Sequence, residues 1–231
     1  MTTHVQRTDH ELKLAIVAEL EWAPDVVADH VGVGLTDGAV TLCGQVASYP
    51  EKIAAVAAVL RVRGVTAVAD EIVVRHDDGK VEDADIARDS ASALERSTSL
   101  PAGAVKAEVH DQVVTLTGAL SWHYQRSTAV NLVAGLQGVR DVVNEIVLEP
   151  QAVVSPVDAE AAILAALQRS ALLTVPAVKA SVNGSVITLT GRVSTWAERH
   201  EAEFAAWCTP GVTHVDDRLE FGAPGAQHPA C

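Results

Sequence analysis

Three times in this chain a glycine that follows a Val/Ile-Thr-Leu-x segment is succeeded by a second glycine 20 residues on. The pairs are Gly44/Gly64, Gly118/Gly138 and Gly191/Gly211. The segments before the first glycine are Val40–Cys43, Val114–Thr117 and Ile187–Thr190. Those after the second are Val65–Val68, Val139–Val142 and Val212–Val215. A fixed period of about 73 residues means one small unit copied three times, which overrides the one or two ordinary domains that 231 residues would otherwise suggest. Units of about 65 residues lie near the lower size limit for independent folding, so each is expected to lean on its neighbours.

Each copy reads as helix, strand, strand, helix, strand. The opening helix carries apolar residues at helical spacing: Leu12, Ile16 and Leu20 in the first copy, Ile163, Leu164 and Leu167 in the third. The second copy's helix, Ile86 to about Glu95, is rich in Ala and Ser. Asp9, Asp83 and Asp158 are the expected N-caps. Pro24, Pro101 and Pro176 mark the helix exits or the loops beyond.

The first strand is expected at Val31–Leu35, Val105–Val109 and Val178–Val182, and the second at Val40–Cys43, Val114–Thr117 and Ile187–Thr190. Asp37-Gly38, His110-Asp111 and Asn183-Gly184 form the turns between them. Val40 and Leu42 face one way, Thr41 and Cys43 the other. One sheet face is therefore buried and the other is an open, Thr-lined face.

The second helix covers about positions +6 to +18 after the first glycine. Its apolar stripe is Ala55, Ala58, Val59 and Val62, then Ala129, Leu132, Val133 and Leu136, then Ala202, Ala205, Ala206 and Thr209. The first glycines are expected to bend the chain at a strand end, and the second to stop the helix in a left-handed C′ position. The third strand is expected at Val65–Val74, Val139–Leu148 and Val212–Phe221. A right-handed crossover sets it parallel to the second. The fold class is α+β, with two helices on one face of a three-stranded mixed sheet in each copy. The domains are 1–75, 83–149 and 158–221, the linkers 76–82 and 150–157, and the tail 222–231. Linkers this short imply a compact three-domain chain, with the Thr faces and aromatic turns as inter-domain surfaces.

The net charge of −13 is spread over the copies, at −5, −4 and −3. No basic stripe exists for phosphate-backbone binding, so nucleic acid is not an expected partner. Cys43, Cys208 and Cys231 do not recur between copies and make no disulfide framework. The first ten residues hold no apolar core segment, and no stretch is long enough to span a membrane. The chain as written reads as cytoplasmic, and as periplasmic only if its N-terminus is already processed.

The frame Val-Thr-Leu-x-Gly-x-Val, an Ala-bearing helix, Gly-Val-x-x-Val and then Asp/Asn-x-Ile resembles the BON domain, named for bacterial osmotically induced and nodulation proteins. It runs from Val40 to Ile72, Val114 to Ile146 and Ile187 to Leu219. The resemblance implies a stress-induced binding protein of the bacterial envelope that associates with phospholipid surfaces. Members of the family also sit beside channels, secretins or peptidoglycan-binding modules, and a cytoplasmic member has a potassium-binding role. No catalytic activity belongs to the family, so the chain is expected not to be an enzyme. It departs from the envelope members in lacking an export signal, and from its own pattern at Asp216-Asp217-Arg218, where the other copies read Asp70-Glu71 and Asn144-Glu145.

Two recurring features could carry binding. A cation stands eight residues after the first glycine: Lys52, Arg126 and Arg199, beside Glu51, Gln125 and Glu198. A cation in a helix's first turn opposes the dipole and needs compensation. The compensating group is a headgroup phosphate or carboxylate, an ion pair to the region of Asp70, Asn144 or Asp217, or solvent. Tyr49, Trp122, Tyr124 and Trp196 lie near the same turn, where they suit a membrane interface, a protein partner or packing between copies. Trp22 and Trp207 lie on helices and read as core.

The nine histidines show no zinc spacing, and Asp77-Asp78-Gly79 is too short for a calcium loop. There is no phosphate loop, dinucleotide fingerprint or nucleophile elbow, so no cofactor or metal is expected. The expected partner is a phospholipid surface or a protein, with the chain a monomer or weak oligomer. The alternative function is a cytoplasmic protein–protein or monovalent-cation-sensing module.

Overall fold

The computed structural model describes residues 8–75, 81–149, 156–169 and 178–222. The tail beyond Gly222 with Cys231, the Pro176 loop, most of both linkers and the first seven residues lie outside the described residues.

The first copy is built from α1 (Asp9–Trp22), β1 (Val31–Thr36), β2 (Ala39–Val46), α2 (Tyr49–Arg61) and β3 (Ala67–Val74). The second is α3 (Asp83–Arg96), β4 (Val105–His110), β5 (Val113–Leu120), α4 (His123–Ala134) and β6 (Asp141–Leu148). The third is α5 (Pro156–Arg169), β7 (Val178–Asn183), β8 (Val186–Val193), α6 (Trp196–Trp207) and β9 (His214–Phe221). The expected order recurs in every copy, with one short 3-10 turn, Ala28–His30, added before β1. Each copy has its own three-stranded sheet with the second strand central. In the first and third copies that strand pairs antiparallel with the first strand and parallel with the last.

The alternation read from the sequence is the core. Val40 and Leu42, Val114 and Leu116, and Ile187 and Leu189 are buried against the helices. The alanine at +11 of the second helix (Ala55, Ala129, Ala202) is fully buried in all three copies, since only a methyl group fits where helix meets sheet. Leu12, Ile16 and Leu20 close the core from α1.

At the position of Ile16 and Ile163, α3 carries Ser90. Its hydroxyl is fully buried and finds no hydrogen-bond partner among the described residues. A buried unmatched hydroxyl is destabilising. Ser90→Val is therefore expected to raise stability by about 1–2 kcal/mol. Thermal unfolding checks this, and a lowered Tm would mean the site has no room for the added methyls.

Several local expectations are corrected. Asp9 and Asp83 do not cap their own helices. Thr8 caps α1, in a reciprocal box with Glu11, and Glu82 stands at the cap position of α3. The two aspartates instead reach back to the hairpin turn. The Asp37 N–H donates to Asp9 Oδ2 at 3.1 Å, and the Asp111 and Gln112 N–H groups donate to the Asp83 carboxylate at 2.9 Å each. Each aspartate thus ties the first helix to the sheet. The second turn is Asp111-Gln112 rather than His110-Asp111, both residues having positive φ. The third is Gly184-Ser185, one residue later than expected.

Gly44, Gly118 and Gly191 lie inside the second strand rather than at its end, because that strand runs on to Val46, Leu120 and Val193. Gly64, Gly138 and Gly211 do have left-handed φ, but stand three or four residues beyond the helix, in the turn that follows. Trp22 is not core: it is 83% exposed. Trp207 is partly buried and packs against the core of the third copy.

By their contacts, the residues fall into two compact units. One is Met1–Thr117 with Ala129–Glu145, the other Gly118–Thr128 with Ile146–Cys231.

Candidate functional site

In each copy the turn from the second strand into the second helix carries the predicted cation and aromatic residues. Its frame is set by the residue seven positions after the first glycine. Glu51 is buried, and its two carboxylate oxygens accept from the Val27 and Ala47 N–H groups, both at 3.0 Å. Gln125 Oε1 accepts from the Trp122 N–H at 3.2 Å, and Glu198 Oε2 from the Ser194 N–H at 2.6 Å. Ser48 and Thr195 cap α2 and α6. This side-chain latch fixes the turn that presents the cation and the rings. An acid in a first helical turn reads from sequence as a simple dipole partner, so its structural role stayed hidden.

The three cations differ in what neutralises them. Lys52 Nζ lies 3.2 Å from Asp70 Oδ2 and donates to the Ile72 carbonyl at 3.1 Å. Arg199 donates to Asp217 Oδ2, lies 3.8 Å from Glu203, and stacks over Trp196 and Phe221 at 5.1 and 5.6 Å. Asp70 and Asp217 are the acids 26 residues after the first glycine. In both copies the ion pair sits at the rim of the core and ties the helix to the last strand.

Arg126 is different. The corresponding position is Asn144, and among the described residues no carboxylate pairs with Arg126. Its guanidinium lies 5.1 Å from the Trp207 ring centre, and burial alone lowers its pKa. His123 stacks on the same indole at 4.2 Å. Burial, then the charges of Arg126 and His200, push the His123 pKa down to about 4.

The aromatic residues also divide. Tyr49 is buried, and its hydroxyl bonds to Asp141 and accepts from the Val142 N–H within the first unit; burial, then Asp141, raises its pKa. Position +5 therefore serves packing between copies for Tyr49 and for His123. Trp196 packs on Phe221 of its own copy. Trp122 and Tyr124 remain at the surface, 37% and 55% exposed, with ring centres 6.4 Å apart.

In the third copy Glu203 replaces Val56 and Val130. Burial and a hydrogen bond with Asp217 raise its pKa to about 7. Asp217 itself is held low by its bonds to Glu203, the Leu219 N–H and Arg199, which outweigh its burial. A folded-state pKa above the ordinary 4.5 means that ionising Glu203 costs stability as pH rises from about 5 to above 7. The Asp217 contribution runs the other way and is lost only in acid, below the ordinary carboxylate range. Glu203 is therefore expected to subtract about 1 kcal/mol of stability between pH 5.5 and 8, allowing for solvent screening, while His123, held below its ordinary 6.5, adds stability over the same range. Urea denaturation of wild type and Glu203→Val at the two pH values isolates the Glu203 effect: on going from pH 5.5 to 8 the variant should gain about 1 kcal/mol relative to the wild type.

Matches to the model of the BON domain cover residues 8–76, 82–150 and 157–223. The chain belongs to the BON domain family. Among solved structures, two of CdsD, a structural protein of the type III secretion system of Chlamydia trachomatis, are similar at 14% identity. One covers 95% of this chain and 99% of its own with a TM-score of 0.25. The other, of the CdsD C-terminal domain, covers 94% and 100% with a TM-score of 0.26. No curated protein matches the chain significantly in sequence. No helix among the described residues of this tandem BON protein is long and apolar enough to cross a membrane.

Proposed function

We propose that this tandem BON chain is a non-catalytic binding protein of the bacterial stress or envelope-maintenance class that attaches to phospholipid surfaces. Membership of the BON family in all three copies carries this reading, since phospholipid association is what the family implies. The contact is proposed at the turn of the second copy. Trp122 and Tyr124 expose amphipathic rings there, a residue type suited to the headgroup level of a bilayer, and Arg126, two residues beyond Tyr124, pairs with no carboxylate among the described residues. Lys52 and Arg199 serve the fold, being occupied by Asp70 and Asp217. With a net charge of −13, long-range attraction to an anionic bilayer is absent, so attachment depends on this local patch.

Co-sedimentation with phosphatidylglycerol vesicles tests the assignment. A Trp122→Ala, Tyr124→Ala double variant is expected to lose most of the bound fraction while keeping its thermal stability. Unchanged sedimentation of that variant would remove the second-copy turn as the contact.

A further inference from the structure

We propose that Arg126, His123 and His200 form a site for a phosphate group, either a free phosphate or phosphomonoester or the phosphate of a lipid headgroup. The inference deepens the lipid reading at the same turn, but needs only the shared phosphate chemistry.

The three copies supply the control. In the first and third, the cation at +8 is neutralised by the acid at +26. In the second the cation is kept and the acid is replaced by Asn144. The guanidinium is half-buried, and among the described residues it has an aromatic face at Trp207 but no carboxylate. A cation–π contact holds a guanidinium in place without cancelling its charge.

Two imidazoles share this field. His123 packs on the same indole, and Arg126 and His200 both act on it as positive neighbours. His200 stands two turns before Trp207 on α6 and so on the same helix face, which brings three basic side chains near one another within the second unit of a chain that is otherwise strongly acidic. An uncompensated, partly desolvated cation is costly, and an anion is the species that relieves it. Guanidinium recognises phosphate through two parallel N–H···O bonds, and imidazole nitrogens can donate to the remaining oxygens. A tetrahedral oxyanion has more acceptors than a carboxylate to offer three donors from two helices, α4 and α6. Its charge would also make protonation of His123 easier, reversing the local effect of Arg126 and His200.

The test uses the full chain and NMR of the His123 ring signals, with thermal unfolding in parallel. Inorganic phosphate, glycerol phosphate and phosphatidylglycerol vesicles are the probes. Phosphate and glycerol phosphate should shift the His123 signals saturably and raise the Tm. Arg126→Gln should weaken both responses at least tenfold, and His200→Gln, at a separate position, should weaken them less. If Arg126→Gln misfolds, the His200→Gln titration decides. Ring signals unmoved by either soluble phosphate, or moved equally in the variants, would overturn the site. A response to soluble phosphates without vesicle binding would keep the site and remove the lipid reading. Vesicle binding indifferent to Arg126→Gln, with no soluble response, would overturn the site and leave the lipid reading standing.

Discussion

Gly44→Ala is expected to unfold the first copy. Gly44 has φ of +122°, and a Cβ built there would lie 2.1 Å from the carbonyl oxygen of His30. That oxygen belongs to backbone at the entrance to β1, directly across from Gly44 in the ladder, where Val31 is its partner. It cannot rotate away as a flexible side chain could. The strained φ costs about 1–3 kcal/mol, and displacing the strand adds to it. A unit of this size has only about 3–5 kcal/mol of its own, so the loss is comparable with its whole stability. Gly34→Ala is the control. Gly34 lies three residues beyond Val31 in β1, and its added methyl meets Thr41 at an ordinary 3.6 Å. Urea denaturation followed by two-dimensional NMR should show first-copy signals lost in Gly44→Ala and kept in Gly34→Ala.

The second large effect is expected at Glu51. Its carboxylate is buried and accepts two backbone N–H groups, from Val27 and Ala47, that belong to different loops. Glu51→Ala leaves both donors unmatched and should cost about 2–4 kcal/mol. Glu51→Gln keeps one acceptor oxygen and should cost about half as much. The second copy already uses an amide there, Gln125, to hold the Trp122 N–H. Equilibrium urea unfolding separates the outcomes. Equal losses in both variants would mean that charge rather than acceptor geometry holds the loops.

The architecture was legible because its signals repeat. Val40 and Leu42 alternate with Thr41 and Cys43, and the same alternation returns twice at one period, which fixes strand, face and order together. Trp22 was also legible, by angle rather than by type. It lies two residues beyond Leu20, about 200° around the helix from it and about 120° from the centre of the stripe of Leu12, Ile16 and Leu20, and so points to solvent. The role of Asp9 and Asp83 was not legible. An acid at a helix start can serve a cap or a distant turn equally well, and only the fold brings the hairpin within reach.

At the candidate site, the pairing of Lys52 with Asp70 and Arg199 with Asp217 follows from a recurring offset of 18 residues. The exception at Arg126 and Asn144 was visible in the same comparison. Its surroundings were not, because Trp207 and His200 come from a different copy, across more than 70 residues of sequence.

Flotation of the purified full chain with phosphatidylglycerol and with phosphatidylcholine vesicles, at low and at physiological salt, tests the central claim most directly. The predicted result is co-flotation with phosphatidylglycerol that persists at physiological salt, since the chain has no net positive charge to be screened, with less on phosphatidylcholine. Protein remaining at the bottom of the gradient under all four conditions would contradict attachment to phospholipid surfaces.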